Sequence, residues 1–388
     1  MKEDQVVPEF SLFGGPLQWL GRRVGLVRGT NTIGLGIALG VLTWGIMVGL
    51  ALLKGIGPKF FSLSVIGGHV RLLVVILLFF VCETFVAPLM AEFVRNIVRS
   101  GVVPQAELPA LASDIRRIDR LKDFWLVEIL LLIIVFISPL FETMANLPGM
   151  TTNWASLVNE SGGRMNWVLG WYLGFCLPVF RFLLFRWYWH LALWWYFLWR
   201  VNRLKLNLIP THPDLAGGLG YLEVVQEHFA AFAMAASATL SASFAEEIVS
   251  GTRAFDSLYS LIPIVLLLIA VLFIGPLFTF SRKLWACRIT GLNEYMVMAH
   301  RYVGAFDRKW VRDETASGES QLGTADLQSL ADLSNSIDVV RNMRWVPMSR
   351  RLVAELAIAA LIPMLPLLLL KYPVTELATQ LFKTLSGL

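Results

Sequence analysis

The chain has 388 residues, of which 56% are hydrophobic and 16% are charged, and its mean hydropathy is +0.64. A soluble domain has about 25% charged and about 45–50% apolar residues, so this composition excludes an ordinary soluble globular protein. The net charge is +5. Because the basic residues cluster on alternate loops instead of one arm, they indicate a membrane protein and argue against nucleic-acid binding.

Cysteine and histidine usage predicts neither a disulfide framework nor a metal site. The three cysteines, Cys82, Cys176 and Cys287, are odd in number and form no CxxC motif. The histidines show no HxxH or HExxH spacing, and no GxSxG nucleophile motif occurs. We therefore expect no cofactor and no metal ion.

Apolar runs of helical length predict an all-α, polytopic transmembrane bundle of about seven spans. Residues 1–31 precede it, as a short interfacial helix with Trp19 at headgroup depth or as a flexible leader. Residues 32–280 hold six spans and the polar loops 91–123 and 200–224. The predicted spans are 33–53, 72–90, 124–141, 166–199, 225–248, 258–280 and 352–370.

The fourth predicted span is too long for a bilayer. Its 34 residues would extend about 50 Å, whereas the hydrocarbon core is about 30 Å thick. The part at 187–199 is dense in tryptophan, tyrosine and phenylalanine, as is typical of a lipid–water interface. We interpret that part as an interfacial continuation of the span.

The distribution of Lys and Arg predicts a cytoplasmic amino terminus and an external carboxyl terminus. With this orientation, 24 of the 33 Lys and Arg residues lie in cytoplasmic segments and 7 in external ones. Segment 281–351 carries 11 of them and is predicted to be a small cytoplasmic region with helices at 287–309 and 324–343. Residues 371–388 are predicted to form an external amphipathic tail.

Glu83 is the most conspicuous ionisable residue, because it lies well inside the second predicted span. Helical rise places it roughly 17 Å from the outer end of that span and Arg181 roughly 22 Å from the outer end of the fourth. Glu128 and Glu355 lie near the cytoplasmic ends of two other spans. These groups suggest a polar cytoplasmic vestibule; a structural Glu83–Arg181 pair with two surface carboxylates is the alternative.

The fifth predicted span is rich in alanine and serine. Ser237 and Ser241 share one face, and Glu246 and Glu247 stand at its outer end. A small polar face ending in an acidic pair suits a cation pathway repeated around the axis of an oligomer. Tight helix packing within one bundle explains the same residues equally well.

The irregular segment after the fourth span carries His212 and Asp214, followed by Gly217, Gly218 and Gly220. Backbone N–H groups of such a loop before a helix can hold a phosphate or a lipid headgroup, with His212 and Asp214 as acid–base candidates. The alternative is a turn that Asp214 caps, in which the glycines adopt left-handed backbone.

The residues favour a homo-oligomeric channel or transport protein over an enzyme. We expect it to carry a small cation or proton across the lipid bilayer of a bacterial inner membrane. A second hypothesis is a membrane enzyme that acts on a lipid or polyprenyl-phosphate headgroup through the loop at 212–220. A third is a scaffold that recruits partners through 281–351.

Overall fold

The computed structural model describes residues 8–145, 166–312 and 325–371. All regular secondary structure in those ranges is helical, in agreement with the all-α prediction. The prediction of an amphipathic tail at 371–388 falls outside the described residues except for residue 371.

Eleven helices of seven or more residues organise the described chain, which also has short helical segments at Gly57–Phe60 and Gln105–Glu107. Four of the eleven, α3, α6, α9 and α11, include 3₁₀ or π-helical segments without a break in the helical path. The helices are α1 Pro16–Arg23, α2 Ile33–Leu53, α3 Leu63–Arg99, α4 Leu108–Lys122, α5 Trp125–Ala145, α6 Trp167–Arg203, α7 Tyr221–Glu227, α8 Ala230–Val249, α9 Phe255–Val311, α10 Ala325–Asn342 and α11 Arg350–Leu370.

Within the described residues, six helical stretches are long and apolar enough to cross a membrane: α2, α3, α6, α7 joined to α8, α9 and α11. Six such stretches indicate a multi-pass membrane protein. The apolar part of α5 that is described, Trp125–Ser138, is shorter than these. The count of seven spans and the orientation therefore stay predictions.

Several helices extend well beyond the predicted spans. α3 and α6 each have 37 residues, or about 55 Å, and α9 has 57 residues. α9 joins the sixth predicted span directly to the first helix of segment 281–351, so the two predicted elements are one. α10 then folds back on α9, where Lys309 Nζ and Trp310 Nε1 donate to Asp326 Oδ2 at 2.9 and 3.0 Å.

The antiparallel pair α2–α3 is in unusually close contact through glycines. A Cβ atom placed on Gly40 would lie 2.7 Å from the carbonyl oxygen of Leu72, and one on Gly36 would lie 2.8 Å from Phe80 Cβ. At the end of the pair, the Thr32 N–H donates to Thr84 Oγ1 at 3.0 Å. The start of α2 therefore lies level with residue 84 of α3.

The start of the amino-terminal segment is built into the bundle, whereas helix α1 leaves Trp19 exposed, and the interfacial position of that helix stays a prediction. Phe10 and Phe13 are buried against α6, where Phe10 stacks on Phe197 at 4.3 Å. The aromatic residues of 187–199 were expected at the lipid–water interface. Trp187 and Trp194 are instead buried in protein, because the amino-terminal segment covers them.

The glycine contact predicts a position-specific effect of substitution in α2. Gly40→Val should lower the free energy of unfolding by about 1–3 kcal/mol, because the side chain collides with the α3 backbone. The measurement is unfolding by SDS in mixed micelles.

Gly45→Val is the matched control, since it lies on the same helix with no atom of another residue within 4 Å of its would-be Cβ. Equal destabilisation by the two substitutions would contradict the close α2–α3 contact.

Candidate functional site

Two groups of buried polar side chains lie between α3, α6 and their neighbours. We call the first the Arg71 cluster, which comprises Arg71, Tyr172, Ser243 and Glu246. We call the second the Glu83 cluster, which comprises Glu83, Arg186 and Gln18. All seven side chains are almost completely removed from the surface of the protein.

Arg71 holds the first cluster together. Its guanidinium donates to the Tyr172 hydroxyl at 2.8 Å and to Ser243 Oγ at 2.7 Å, and the residue has an exposed fraction of 0%. These contacts join α3, α6 and α8. Because a buried guanidinium needs acceptors, the three helices are fixed relative to one another at this point.

The two helices that supply Arg71 and Tyr172 each make a π-helical turn there. The turn of α3 is Val70–Val75, and the turn of α6 is Tyr172–Cys176. A π-turn inserts one extra residue into a helix and occurs frequently at functional sites. Here the two turns bring the Arg71 side chain to the Tyr172 hydroxyl.

The Arg71 cluster lies near the middle of the apolar layer. Trp171 directly precedes Tyr172 in α6, and Cys176 ends the same π-helical turn. Trp171 Nε1 and Cys176 Sγ both donate to the carbonyl oxygen of Thr43, at 3.1 and 3.6 Å. Thr43 is the eleventh of the 21 residues of α2. An ionisable side chain at such a depth costs several kcal/mol, which makes it a functional candidate by default.

Glu246 is the carboxyl group of the cluster. Its Oε1 accepts a hydrogen bond from the backbone N–H of Gly67 at 2.7 Å, one helical turn from Arg71 on α3, and it lies one turn from Ser243 on α8. The neighbouring Glu247 instead pairs with Arg253 at 2.7 Å and is more exposed. The two carboxylates predicted as one acidic pair therefore have separate surroundings.

In the Glu83 cluster, Glu83 Oε2 pairs with Arg186 Nη1 at 3.2 Å, and Oε1 accepts from the Gln18 amide. Arg186 also donates to the carbonyl oxygen of Gly14 at 3.0 Å. Thr84, the residue after Glu83, contacts Thr32 at the start of α2. The Glu83 cluster therefore lies level with the start of α2, at the edge of the apolar layer. The amino-terminal segment thus closes the bundle at this edge.

The partner of Glu83 differs from the prediction. Arg186 makes the ion pair, whereas Arg181 donates to Ser138 Oγ at 3.3 Å. Helical rise alone placed Arg181 at the depth of Glu83, but it does not fix which side of the helix a residue occupies.

Only one of the two other vestibule carboxylates approaches the Glu83 cluster. The Glu128 carboxyl group packs against Gly15, which neighbours the Arg186 partner Gly14. Glu355 pairs with Arg351 at 2.6 Å along its own helix, α11. The four predicted residues therefore do not form one vestibule.

A layer of aromatic rings separates the two clusters. Phe79 and Trp187 lie near the ring of Phe232, at centroid distances of 5.5 and 5.0 Å, and Phe180 and Phe273 extend the layer. Arg71 and Glu83 are 12 residues apart on α3, or about 18 Å. Movement of a charge between the clusters would have to pass this apolar layer.

Ser237 and Ser241 face the last helix. Ser237 Oγ donates to the carbonyl oxygen of Ala360, and Ser241 Oγ donates to that of Pro363 at 2.6 Å. Because Pro363 has no N–H, α11 tightens to 3₁₀ geometry there, and the serines occupy its carbonyl groups. This geometry favours the tight-packing interpretation for these two residues.

In the loop at 212–220, the Asp214 carboxylate occupies the backbone donors. It accepts from the N–H groups of Ala216, Gly218 and Gly220, with shortest distances of 2.8, 3.1 and 2.7 Å. His212 Nδ1 lies 2.7 Å from the same carboxylate. The N–H groups expected to hold a phosphate are thus used internally, which favours a capped turn.

Glycine is required in this turn. Gly217 and Gly218 have φ values of 65° and 99°, where residues with a side chain are strained. A Cβ on Gly220 would lie 2.7 Å from that of Asp214. The glycine pattern therefore follows from the shape of the turn.

The sequence interpretation missed Arg71, Tyr172, Arg186 and Gln18. Arg71 was assigned to an external loop because the strongly apolar run begins at the next residue, although the helix begins at Leu63. The neutral Tyr172 and Gln18 carry no hydropathy signal. Arg186 was detectable, since it is a second basic residue inside the fourth predicted span.

The chain matches no protein-family model, and neither a curated protein nor a solved structure matches it. The class of the protein therefore rests on its own helices. They define a multi-pass helical membrane protein with buried charged clusters.

The Glu83–Arg186 pair predicts strong thermodynamic coupling. Arg186→Met should lower the free energy of unfolding by about 3–5 kcal/mol, since it leaves a buried carboxylate without its partner. The double variant with Glu83→Gln should lose clearly less than the sum of the single losses. Unfolding by SDS in mixed micelles measures this cycle.

The control cycle uses Glu92 and Arg95, an exposed pair three residues apart on α3, which should couple by about 0.3–0.5 kcal/mol. Additive losses for Glu83 and Arg186 would show that the buried pair does not form.

The capped turn predicts unequal effects of its two polar residues. Asp214→Ala should lower the free energy of unfolding by about 2–3 kcal/mol, because several backbone N–H groups lose their acceptor. His212→Ala should cost less, since that side chain is half-exposed and makes fewer contacts. The same SDS titration compares them; a larger loss for His212→Ala would refute the capping role.

Proposed function

We propose that this chain is a membrane transport protein that carries protons through the interior of the bundle, with the Arg71 cluster as its central relay. The observation that carries the proposal is a fully buried arginine, level with the middle of α2, that lies in one π-helical turn, contacts Tyr172 in a second and has the buried carboxyl group of Glu246 nearby. Ionisable groups at such depth commonly mark ion pathways and proton relays.

The chemistry of the cluster suits protons. A carboxyl group and a phenolic hydroxyl both exchange protons, and the arginine stays charged and stabilises the deprotonated carboxylate. Arg71 donates to the Tyr172 hydroxyl at 2.8 Å and to Ser243 Oγ at 2.7 Å, which holds both hydroxyl groups in place. Since the guanidinium does not release its protons, the proton would move between Glu246 and the hydroxyl groups, and this needs less volume than a hydrated cation.

α8 keeps a role in this proposal, but through a different face from the one predicted. It contributes Ser243 and Glu246 to the relay, while Ser237 and Ser241 face α11. The path thus runs inside one protomer between α3, α6 and α8. Homo-oligomerisation, a bacterial inner membrane and a cytoplasmic amino terminus stay predictions.

The Glu83 cluster is the second station of the proposed path. The aromatic layer around Phe79 and Phe232 lies between the stations, and Gln18 of the amino-terminal segment covers Glu83. We propose that this arrangement is a closed state. Displacement of the aromatic rings and of Gln18 would then admit water or connect the stations.

A headgroup enzyme is less well supported. Its two acid–base candidates, His212 and Asp214, contact each other, and Asp214 is held by three backbone N–H groups. A carboxylate used in this way is an acceptor for the turn instead of a base for a substrate.

The proposed relay predicts loss of proton flux in Glu246→Gln. The protein would be reconstituted into liposomes that contain a pH-sensitive dye, and acidification would be followed after a membrane potential is imposed. We expect flux to fall by at least about tenfold, because the amide does not take up the proton.

Glu247→Gln is the control, since this neighbour pairs with Arg253 at the rim of the bundle, and it should retain flux. Wild-type liposomes without flux at any potential or pH gradient would refute the proposal, and so would a fully active Glu246→Gln.

A further inference from the structure

A groove lies at one end of the bundle, between α9 and the extended segment that follows α6. Its volume is about 520 Å³. Leu206 and Leu208 form part of its apolar wall, and Cys287 of α9 lies next to that wall, where its Sγ donates to the carbonyl oxygen of Leu208 at 3.5 Å. The groove is separate from the Arg71 and Glu83 clusters.

The polar lining of the groove is mainly cationic. Arg203, Lys205 and Lys283 contribute three positive charges, and Glu294 contributes one negative charge. Lys283 Nζ is anchored to the carbonyl oxygen of Leu204, and the Arg203 guanidinium lies 3.8 Å from the centre of the Trp199 ring. Two of the three cations are therefore held in place beside the groove.

The groove lies at the edge of the apolar layer. Arg203 is the last residue of α6, and Lys283 follows the apolar part of α9, which ends at Phe280. Trp199 and Trp285 are exposed in the same region, with exposed fractions of 39% and 52%. Exposed tryptophans beside basic residues are typical of the headgroup zone of a bilayer.

We propose that this groove binds the phosphate of an anionic phospholipid, with an acyl chain along its leucine wall. Three cations match a phosphodiester that carries no compensating positive charge, and the apolar wall matches hydrocarbon. A free phosphate ion satisfies the same cations but leaves the leucine wall uncovered. The site is independent of the proposed proton relay.

Cys287 supplies a built-in probe of the groove. The other two cysteines, Cys82 and Cys176, are fully buried, so a neutral maleimide reagent should label the folded wild-type protein at Cys287. The protein would be placed in nanodiscs of phosphatidylcholine alone or with added phosphatidylglycerol. We expect phosphatidylglycerol to slow labelling by about fivefold or more, since the lipid covers the thiol.

Two matched variants distinguish lipid binding in the groove from a general effect of positive charge at the membrane surface. Lys205→Gln and Arg282→Gln each remove one positive charge near the same edge, but only Lys205 lines the groove. Both residues are exposed, so folding should be retained. Lys205→Gln should weaken the protection by about fivefold, the value of one interfacial charge, and Arg282→Gln should leave it unchanged.

A third arm tests the source of the phosphate, with inorganic phosphate added to nanodiscs of phosphatidylcholine. Protection by phosphatidylglycerol alone, with one such lipid retained by the wild-type protein in native mass spectrometry, would support the proposal. Protection by inorganic phosphate alone would overturn the lipid assignment. Equal behaviour of the two variants, or no protection in any arm, would overturn the site.

Discussion

The Arg71 guanidinium determines how the helices around it are arranged. A fully buried positive charge is tolerated only with acceptors in place, and α6 and α8 provide them through Tyr172 and Ser243. Glu246 lies one helical turn from Ser243 on α8 and is buried in the same cluster. The π-helical turns of α3 and α6 occur at this level, so the irregular backbone and the buried charge belong to one arrangement.

Away from this centre, the helices combine two kinds of packing. The α2–α3 pair makes the close glycine contacts of a membrane protein, in which small residues let two backbones approach. Beyond the level of Glu83, α3 and α6 are covered by the amino-terminal segment, and the aromatic side chains there pack as in a soluble core. The overlong helices are therefore shared between lipid and protein surroundings.

The sequence predicted the helical class and the position of Glu83 inside a span, because hydropathy reports these directly. It left α8 between a cation pathway and tight helix packing. It did not predict the Glu83–Arg186 pair or the burial of Trp194, since both depend on how a helix is rotated and on what covers it. Arg71 was missed because a hydropathy boundary does not mark where a helix begins. The role of Asp214 was left between two alternatives, and only the backbone geometry favours one of them.

The end of α9 and the helix α10 that folds back on it form a polar hairpin. Because α9 is continuous, this hairpin is connected rigidly to the bundle. The helix continues from Pro276 to Val311 for about 50 Å, and α10 is clamped near its far end. Its 3₁₀ turn at Gly275–Phe280 is the natural place for such a rod to bend. A tilt of about 5° there displaces the far end by roughly 4–5 Å, so a small rearrangement among the membrane helices is magnified at the hairpin.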